Sequence, residues 1–354
     1  MIKLLAKIIS VFSKTFNLGA GGTWPGEVAL KLDPKILEKI APKNVILVAG
    51  TNGKTTTTLM IKHLLGDKVV TNASGANLLN GVVSAILTSP PDDWGVFEVD
   101  ENTLPVVIKS IKSIKCIVLL NLFRDQLDRY GEVDAIAKKW ALALKTKLVL
   151  NADDPQIASL GNKNSLYFGL EDTKLFQKTP EHAMDSQFCP KCGARLKYAG
   201  HFYSHLGHWN CPNCGQKRPK PQITSSKYPL VGTYNMYNAL AATAVAKILK
   251  IPPNLSGFHP AFGRQEEIHG TKILLSKNPA GFNESLRWDV DFEMLKNYKF
   301  PIYVSGNRQL DLALRLKYAE VKFVLGENLN VFWILATYSA MLEIRKKLTG
   351  RKIL

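Results

Sequence analysis

No apolar run in this chain of 354 residues approaches the roughly 20 residues that span a bilayer, so a membrane-spanning protein is not expected. The opening stretch, MIKLLAKIISVFSKTF, lacks the marks of a secretory signal. Lys7 interrupts its apolar segment and no small-residue cleavage site follows. A cytoplasmic protein is expected, with the same stretch as an amphipathic helix that packs on the domain or touches a membrane surface. Cysteine is scarce, at five residues, and four of these form two CxxC pairs. A disulfide framework is not expected of a cytoplasmic protein of this size. Cys116, inside the apolar IKCIVLLN, reads as a buried structural residue, which leaves no cysteine to serve as a nucleophile. Acidic residues are outnumbered, 29 against 46 basic ones, for a net charge of +17. That balance suits an anionic partner such as a nucleotide, a pyrophosphate-bearing substrate, a phospholipid surface or nucleic acid. Lysines are spread along the whole chain, so much of the charge is simply solvated surface. A hydrophobic share of 46% excludes a disordered chain, and the length allows two or three domains.

The chain is organised around Val45–Thr58, VILVAGTNGKTTTT. VILVA reads as a buried parallel strand. Gly50, Thr51, Asn52 and Gly53 form a loop able to turn tightly, and Lys54, Thr55 and Thr56 begin a helix. Strand, glycine loop and helix N-terminus together make an anion site of backbone N–H groups reinforced by the helix dipole. Lys54 is placed to reach terminal phosphates and Thr55 to offer a hydroxyl to Mg²⁺. The spacing is GxxGKT, shorter than the general phosphate loop.

Further apolar strands end in polar clusters. GVFEVDE ends in Glu98, Asp100 and Glu101; KCIVLLN ends in Asn121; KLVLNADDP ends in Asn151, Asp153 and Asp154. Ligands of open parallel α/β sheets lie outside such carboxyl ends. Glu98 is the leading Mg²⁺ candidate, because a hard cation beside phosphates takes carboxylate oxygen. Asp153 reads as a nucleotide contact or a helix cap. The run GAGGTWPGEVALKLDP before the loop reads as a glycine-rich turn and a short strand. Thr233–Ile251 reads as a helix whose Asn235 and Asn238 cap it or contact a base. Arg264 lies in an expected interdomain linker, from which it reaches phosphates on closure. Asp311 opens a helix after Gly306-Asn307-Arg308, as a first-turn acid that stabilises the helix dipole or as a functional group.

Cys189 and Cys192 are separated by eighteen residues from Cys211 and Cys214. Each pair sits in a CPxCG knuckle, and four thiolates on two tight turns predict a structural, tetrahedral Zn²⁺ ribbon at about residues 185–220. His201, His205 and His208 lie between the knuckles and read as ordinary loop residues or substitute ligands.

GTNGKTTTT, the EVDE strand end, NADDP, the YNxxNALAA helix and FGRQEE together resemble the Mur ligase family. The four-cysteine ribbon, NLFRDQLDRYGE, KNPAGFNE, GNRQLDLALRLKYA and TYSAMLEIRKKL resemble its MurT-like branch. The resemblance covers nearly the whole chain. It implies a central α/β ATP-binding domain over 45–262 with a parallel sheet and the ribbon inserted, preceded by a segment over 1–44. A small C-terminal α/β domain over 263–354 follows. It also implies an ATP- and Mg²⁺-dependent carbon–nitrogen ligase acting in peptidoglycan synthesis. Its substrate would be lipid II at the inner membrane face, and its partner a GatD-type class I glutamine amidotransferase that supplies ammonia. Asp311 would complete the partner's glutaminase triad. Two departures mark the C-terminal domain as abbreviated: LR runs directly into WDVDFE, and VLGENLN runs almost directly into VFWILATY. Two other readings stand beside this one. One is a Mur ligase that adds an amino acid to a precursor. The other is a basic zinc-ribbon nucleic-acid-binding protein with a regulatory ATP site, although the ribbon lacks the clustered charge and stacking aromatics expected of one.

Overall fold

The structure is a computed structural model and describes residues 23–72, 75–123, 133–177, 185–227, 230, 232–259, 264–275, 295–296, 299–336 and 338–350. The helix expected over 1–16, the segment 124–132 and the first abbreviated stretch, 282–293, lie outside these residues. The chain divides into two compact units, one closing at residue 259 and one following it.

The first unit is built on six parallel strands: β1 (Asn44–Ala49), β2 (Val69–Thr71), β3 (Trp94–Glu98), β4 (Ile114–Leu119), β5 (Leu148–Asn151) and β6 (Leu166–Phe168), in the order β2-β3-β1-β4-β5-β6. The apolar runs explain this arrangement, because a parallel strand is covered on both faces and needs apolar residues at consecutive positions. In β1, Val45, Leu47 and Ala49 join one core while Ile46 and Val48 join the other, and all five have no exposed surface. Each such side chain contributes roughly 1.5–3 kcal/mol on burial. Helices cover both faces. α1 (Trp24–Leu32), α2 (Ile36–Ile40), α4 (Leu79–Thr88), α5 (Leu104–Ser110) and α6 (Val133–Ala143) contribute to one core. α3 (Lys54–Leu65) lies in the other. A one-turn helix, α7 (Pro155–Ser159), follows β5. The long α8 (Thr233–Leu249) packs against α3, with alanines at the contact.

WPGEVALKL forms a helix, α1, where a short strand was expected. Its short apolar run, Val28-Ala29-Leu30, suits a strand as well as a helix. However, Pro25 sits in the first turn, where a missing N–H costs nothing. Gly26 brings the backbone against α4: its N–H donates to Ser84 Oγ at 2.7 Å, and a Cβ there would lie 2.0 Å from the Asn80 carbonyl.

The ribbon is an antiparallel hairpin, β7 (Lys197–Tyr203) and β8 (Leu206–Asn210), between the two knuckles. It leaves the sheet after β6 and returns beside it, where Ile223 bridges Phe168. In the second unit, β9 (Arg264–Ile268) and β10 (Thr271–Leu275) pair antiparallel across a turn at His269-Gly270, and β13 (Trp333–Ala336) pairs parallel to β10. α10 (Tyr338–Thr349) contributes Met341 to the small core on this sheet. β11 (Tyr303–Val304) and β12 (Val324–Leu325) form a second parallel pair, and α9 (Gln309–Tyr318) supplies Leu316 to their core. The connection 326–332 carries no helix, in keeping with the second abbreviation. No helix among the described residues is long and apolar enough to cross a membrane.

Candidate functional site

The sheet reverses its winding at β1: the chain runs out to β2 and back to β3 on one side, then on through β4 and β5 to β6 on the other. Ligands settle at such a switch point, outside the strand ends. The loop Gly50–Gly53 leaves β1 at this place. Gly50 and Gly53 hold φ of 134° and 87°, values that favour glycine. Neither position has room for a side chain. A Cβ on Gly50 would meet the Asn121 carbonyl at 2.9 Å, and one on Gly53 would meet Asn238 Oδ1 at 2.2 Å.

The neighbouring strand ends fix the loop. Asn121, after β4, accepts from Asn52 N–H at 2.8 Å and donates to the Asn52 carbonyl at 3.1 Å. Its own carbonyl accepts from Thr51 N–H at 3.0 Å. Thr51 Oγ1 exchanges hydrogen bonds with the Phe123 backbone in both directions. On α8, Asn238 Oδ1 accepts from Thr57 Oγ1 at 3.2 Å, and Asn235 Oδ1 accepts from Asn238 Nδ2 at 3.1 Å. Asn121 and Asn238 therefore hold the loop and the first turn of α3 in place. Thr55 and Thr56 lie buried in that turn.

Charge collects at the same point. Lys54 is 5% exposed. Its ammonium donates to the Gly50 carbonyl at 2.5 Å and the Thr51 carbonyl at 3.3 Å, and stands 3.5 Å from Glu101 Oε1. Glu98 ends β3 opposite Val48, one strand over from the loop, and is buried. Its Oε2 has no hydrogen-bond partner among the described residues. A buried carboxylate oxygen without a donor is costly unless a cation meets it, so Glu98 fits a Mg²⁺ ligand beside phosphates, with the Thr55 hydroxyl the second protein donor the loop offers. Asn72, not singled out from the sequence, fixes Glu98. Its Oδ1 accepts from Glu98 N–H at 3.0 Å and its Nδ2 donates to the Glu98 carbonyl at 2.8 Å. Its signal was the same as the others': a polar residue where an apolar strand, β2, ends.

Asp153 meets partners other than a nucleotide. It has no exposed surface, and its oxygens accept from Arg218 Nε at 2.5 Å, the Tyr237 hydroxyl at 2.7 Å and Leu170 N–H at 2.9 Å. Burial pushes the Asp153 carboxyl up, and the Arg218 guanidinium, the Leu170 N–H and the Tyr237 hydroxyl oppose that rise. The guanidinium in turn rises beside Asp153 and Glu171 despite its own burial. Three donors on the carboxylate favour the charged pair. The helix cap expected of this stretch falls to Asp154, which accepts from Gln156 and Ile157 N–H at the start of α7.

In the ribbon, the ligand atoms of Cys189, Cys192, Cys211 and Cys214 all lie within 4.8 Å of one another. The Ala194 N–H pulls the Cys192 thiol down to about 6, while burial pushes Cys189 up to about 11. Four thiols so close fit a tetrahedral Zn²⁺ ion, which would hold all four deprotonated. Two of the three histidines serve the docking of the ribbon instead: His208 Nε2 lies 3.0 Å from the Leu170 carbonyl, and His205 Nε2 lies 3.2 Å from Asp154 Oδ2. Trp209 donates to the Ala152 carbonyl at 3.0 Å. Burial pushes the Cys116 thiol up to about 12, so it stays protonated and inert.

Comparison with known proteins decides the family. The Mur ligase middle domain matches residues 48–246, and the MurT ligase C-terminal domain matches residues 273–330. The chain belongs to the Mur ligase family. Within it, the chain is of the MurT type. It is 32% identical to the MurT subunit of the glutamine-hydrolysing lipid II isoglutaminyl synthase of Streptococcus pneumoniae, over 95% of this chain and 94% of that one. It is 33% identical to the MurT subunit of Staphylococcus aureus, over 90% and 87%. Among solved structures it resembles a pseudomurein peptide ligase type C from Methanothermus fervidus. That match has a TM-score of 0.64 and 28% identity, and covers 90% of this chain and 76% of that one.

The remaining expected site residues of this Mur ligase lie in the second unit. Arg264 begins β9, paired with Leu274, rather than standing in a linker. Asp311 occupies the first turn of α9, exposed, with Oδ2 accepting from Arg308 Nε at 2.7 Å. On the same helix Leu310, Leu314 and Tyr318 are exposed.

Proposed function

We propose that this protein uses ATP to amidate the α-carboxyl of D-glutamate in the stem peptide of lipid II, forming D-isoglutamine, with ammonia delivered by a GatD-type glutaminase. The observation that carries the proposal is that the likeness to MurT subunits runs through both units, taking in the C-terminal unit with its exposed Asp311 as well as the phosphate loop. In this reading residues 1–44 pack on the central domain, 45–262 hold the nucleotide, and 263–354 face the partner. The substrate's lipid would bring the basic chain to the membrane surface.

A carboxylate is a poor electrophile. One of its oxygens attacks the γ-phosphorus of ATP, ADP leaves, and an acyl phosphate forms. Ammonia then adds to the acyl carbon, phosphate departs, and a proton is released as the amide forms. The loop N–H groups and Lys54 spread the negative charge of the transferring phosphoryl. Glu98 and Thr55 would hold Mg²⁺, which supplies further charge neutralisation when bound. Arg264 is proposed as a further phosphate contact. This chain's own cysteines are inert at Cys116 or grouped for a metal, so ammonia comes from elsewhere. Asp311 is proposed to complete the triad of the glutaminase across the interface.

Co-purification with a glutaminase, followed by lipid II amidation with ATP and glutamine, tests the proposal. Amide formation only with the partner present is the expected result. A second reading, ligation of an amino acid, draws on the likeness to a peptide ligase. Turnover with a free amino acid but none with ammonia would favour it.

A further inference from the structure

We infer that the ribbon hairpin braces the phosphate loop, with His205 as the positioning residue. The inference rests on the nucleotide reading of that loop and extends it to a part of the chain that touches no phosphate.

His205 sits at the tip of the hairpin, next to Ser204, whose φ of 47° turns the chain sharply. It is fully buried. Its Nε2 lies 3.2 Å from Asp154 Oδ2, and its ring is 4.5 Å from the ring of Phe123. Asp154 divides its work. Oδ1 caps α7, while Oδ2 accepts from Leu122 N–H at 2.8 Å and faces His205. His205 therefore holds Leu122 through Asp154 and covers Phe123 directly. Asn121, Leu122 and Phe123 are consecutive, and Asn121 and Phe123 are the residues that clamp Asn52 and Thr51 of the loop. Two contacts separate the ribbon from the phosphate site.

The burial of His205 is costly, because its Nδ1 is buried without a hydrogen-bond partner among the described residues. A hairpin that needed only to dock could fill this place with an apolar side chain and leave no nitrogen stranded. A donor to Asp154 is what an apolar side chain could not provide. A second route runs in parallel: Arg218 of the ribbon pairs with Asp153, which accepts from Tyr237. Tyr237 is the neighbour on α8 of Asn238, the residue seated against Gly53. Both routes start in the ribbon and end on the loop.

The test uses the full zinc-loaded chain and measures Mg·ATP binding by calorimetry, together with zinc content and melting temperature. His205→Ala is expected to weaken nucleotide binding about tenfold, equivalent to ~1.4 kcal/mol, with zinc content unchanged. His205→Gln, whose amide can donate to Asp154, is expected to recover most of the affinity. If the alanine variant fails to fold, His205→Leu against His205→Gln makes the same comparison with the space filled. Nucleotide affinity equal to wild type in the Ala or Leu variant overturns the inference, as does a loss that Gln does not relieve. A wild-type chain that binds no nucleotide would remove the loop reading itself, and the bracing role with it.

Discussion

The first unit buries a cluster of charged side chains, and the second displays an apolar stripe on one helix. Lys54, Glu98, Asp100, Glu101, Asp153 and Asp154 are all buried in the first unit. In the second, Leu310, Leu314 and Tyr318 on α9 stand 68%, 56% and 77% exposed, beside an exposed Asp311. Buried charge is tolerated only where partners or ligands compensate it. An apolar stripe at i, i+4 and i+8 open to water is characteristic of a surface that meets another protein. The contrast agrees with the division of tasks proposed above, phosphate chemistry in the first unit and reception of a partner in the second.

The sharpest way to break that division is Asp311→Asn. Glutamine-driven amidation is expected to fall about 10³–10⁴-fold, the scale seen when a triad aspartate is neutralised, while amidation from added ammonium persists. Equal loss with both donors would place Asp311 in the first unit's chemistry instead. Lys54→Ala is expected to lower kcat about 10²–10³-fold with either donor, as loss of one charge-stabilising group does. A defect confined to glutamine would reverse the assignment. Stability gives a smaller contrast. Asp153→Ala removes the buried partner of Arg218, leaving it the exposed Glu171, and strands the Tyr237 hydroxyl and the Leu170 N–H, so it should cost about 3–5 kcal/mol in denaturant unfolding. Leu314→Ser, on the exposed stripe, should change stability by less than about 0.5 kcal/mol yet weaken retention of the glutaminase in pull-down. The smallest effect is expected at Cys116: its thiol, raised to about 12 by burial, should resist iodoacetamide at pH 8 in the folded chain. Rapid alkylation of Cys116 would mean that the first core opens to solvent.

The sheet was legible because its strands are short apolar runs that end in polar residues, a pattern that little besides a buried parallel strand produces. The loop was legible for the same reason, as were the four cysteines, whose spacing encodes the turns that gather them. Asp153 was not. Sequence places it beside Asp154 at a strand end, and nothing local tells which of the two caps the following helix and which turns to other partners. The answer depends on Arg218 and Tyr237, 65 and 84 residues away. α1 was misread because a short apolar run such as Val28-Ala29-Leu30 satisfies both a strand and a helix, and the close approach of Gly26 to α4 is a tertiary contact that no local pattern shows. The role of His205 was similarly invisible, since a histidine in a loop carries no mark of what it will be buried against.

Thr57 bonds to Asn238 across 181 residues of sequence, and this sets an order of events during synthesis. Chains emerge from the ribosome N-terminus first, at about 5–20 residues per second, so the glycine loop is made many seconds before the helix that seats it. A nascent chain halted before α8 would have the strand and the glycines of a nucleotide site, but not the side chain packed on Gly53. The seat of the glycine loop is thus a late property of this polypeptide, completed after the ribbon has been made and α8 has left the tunnel.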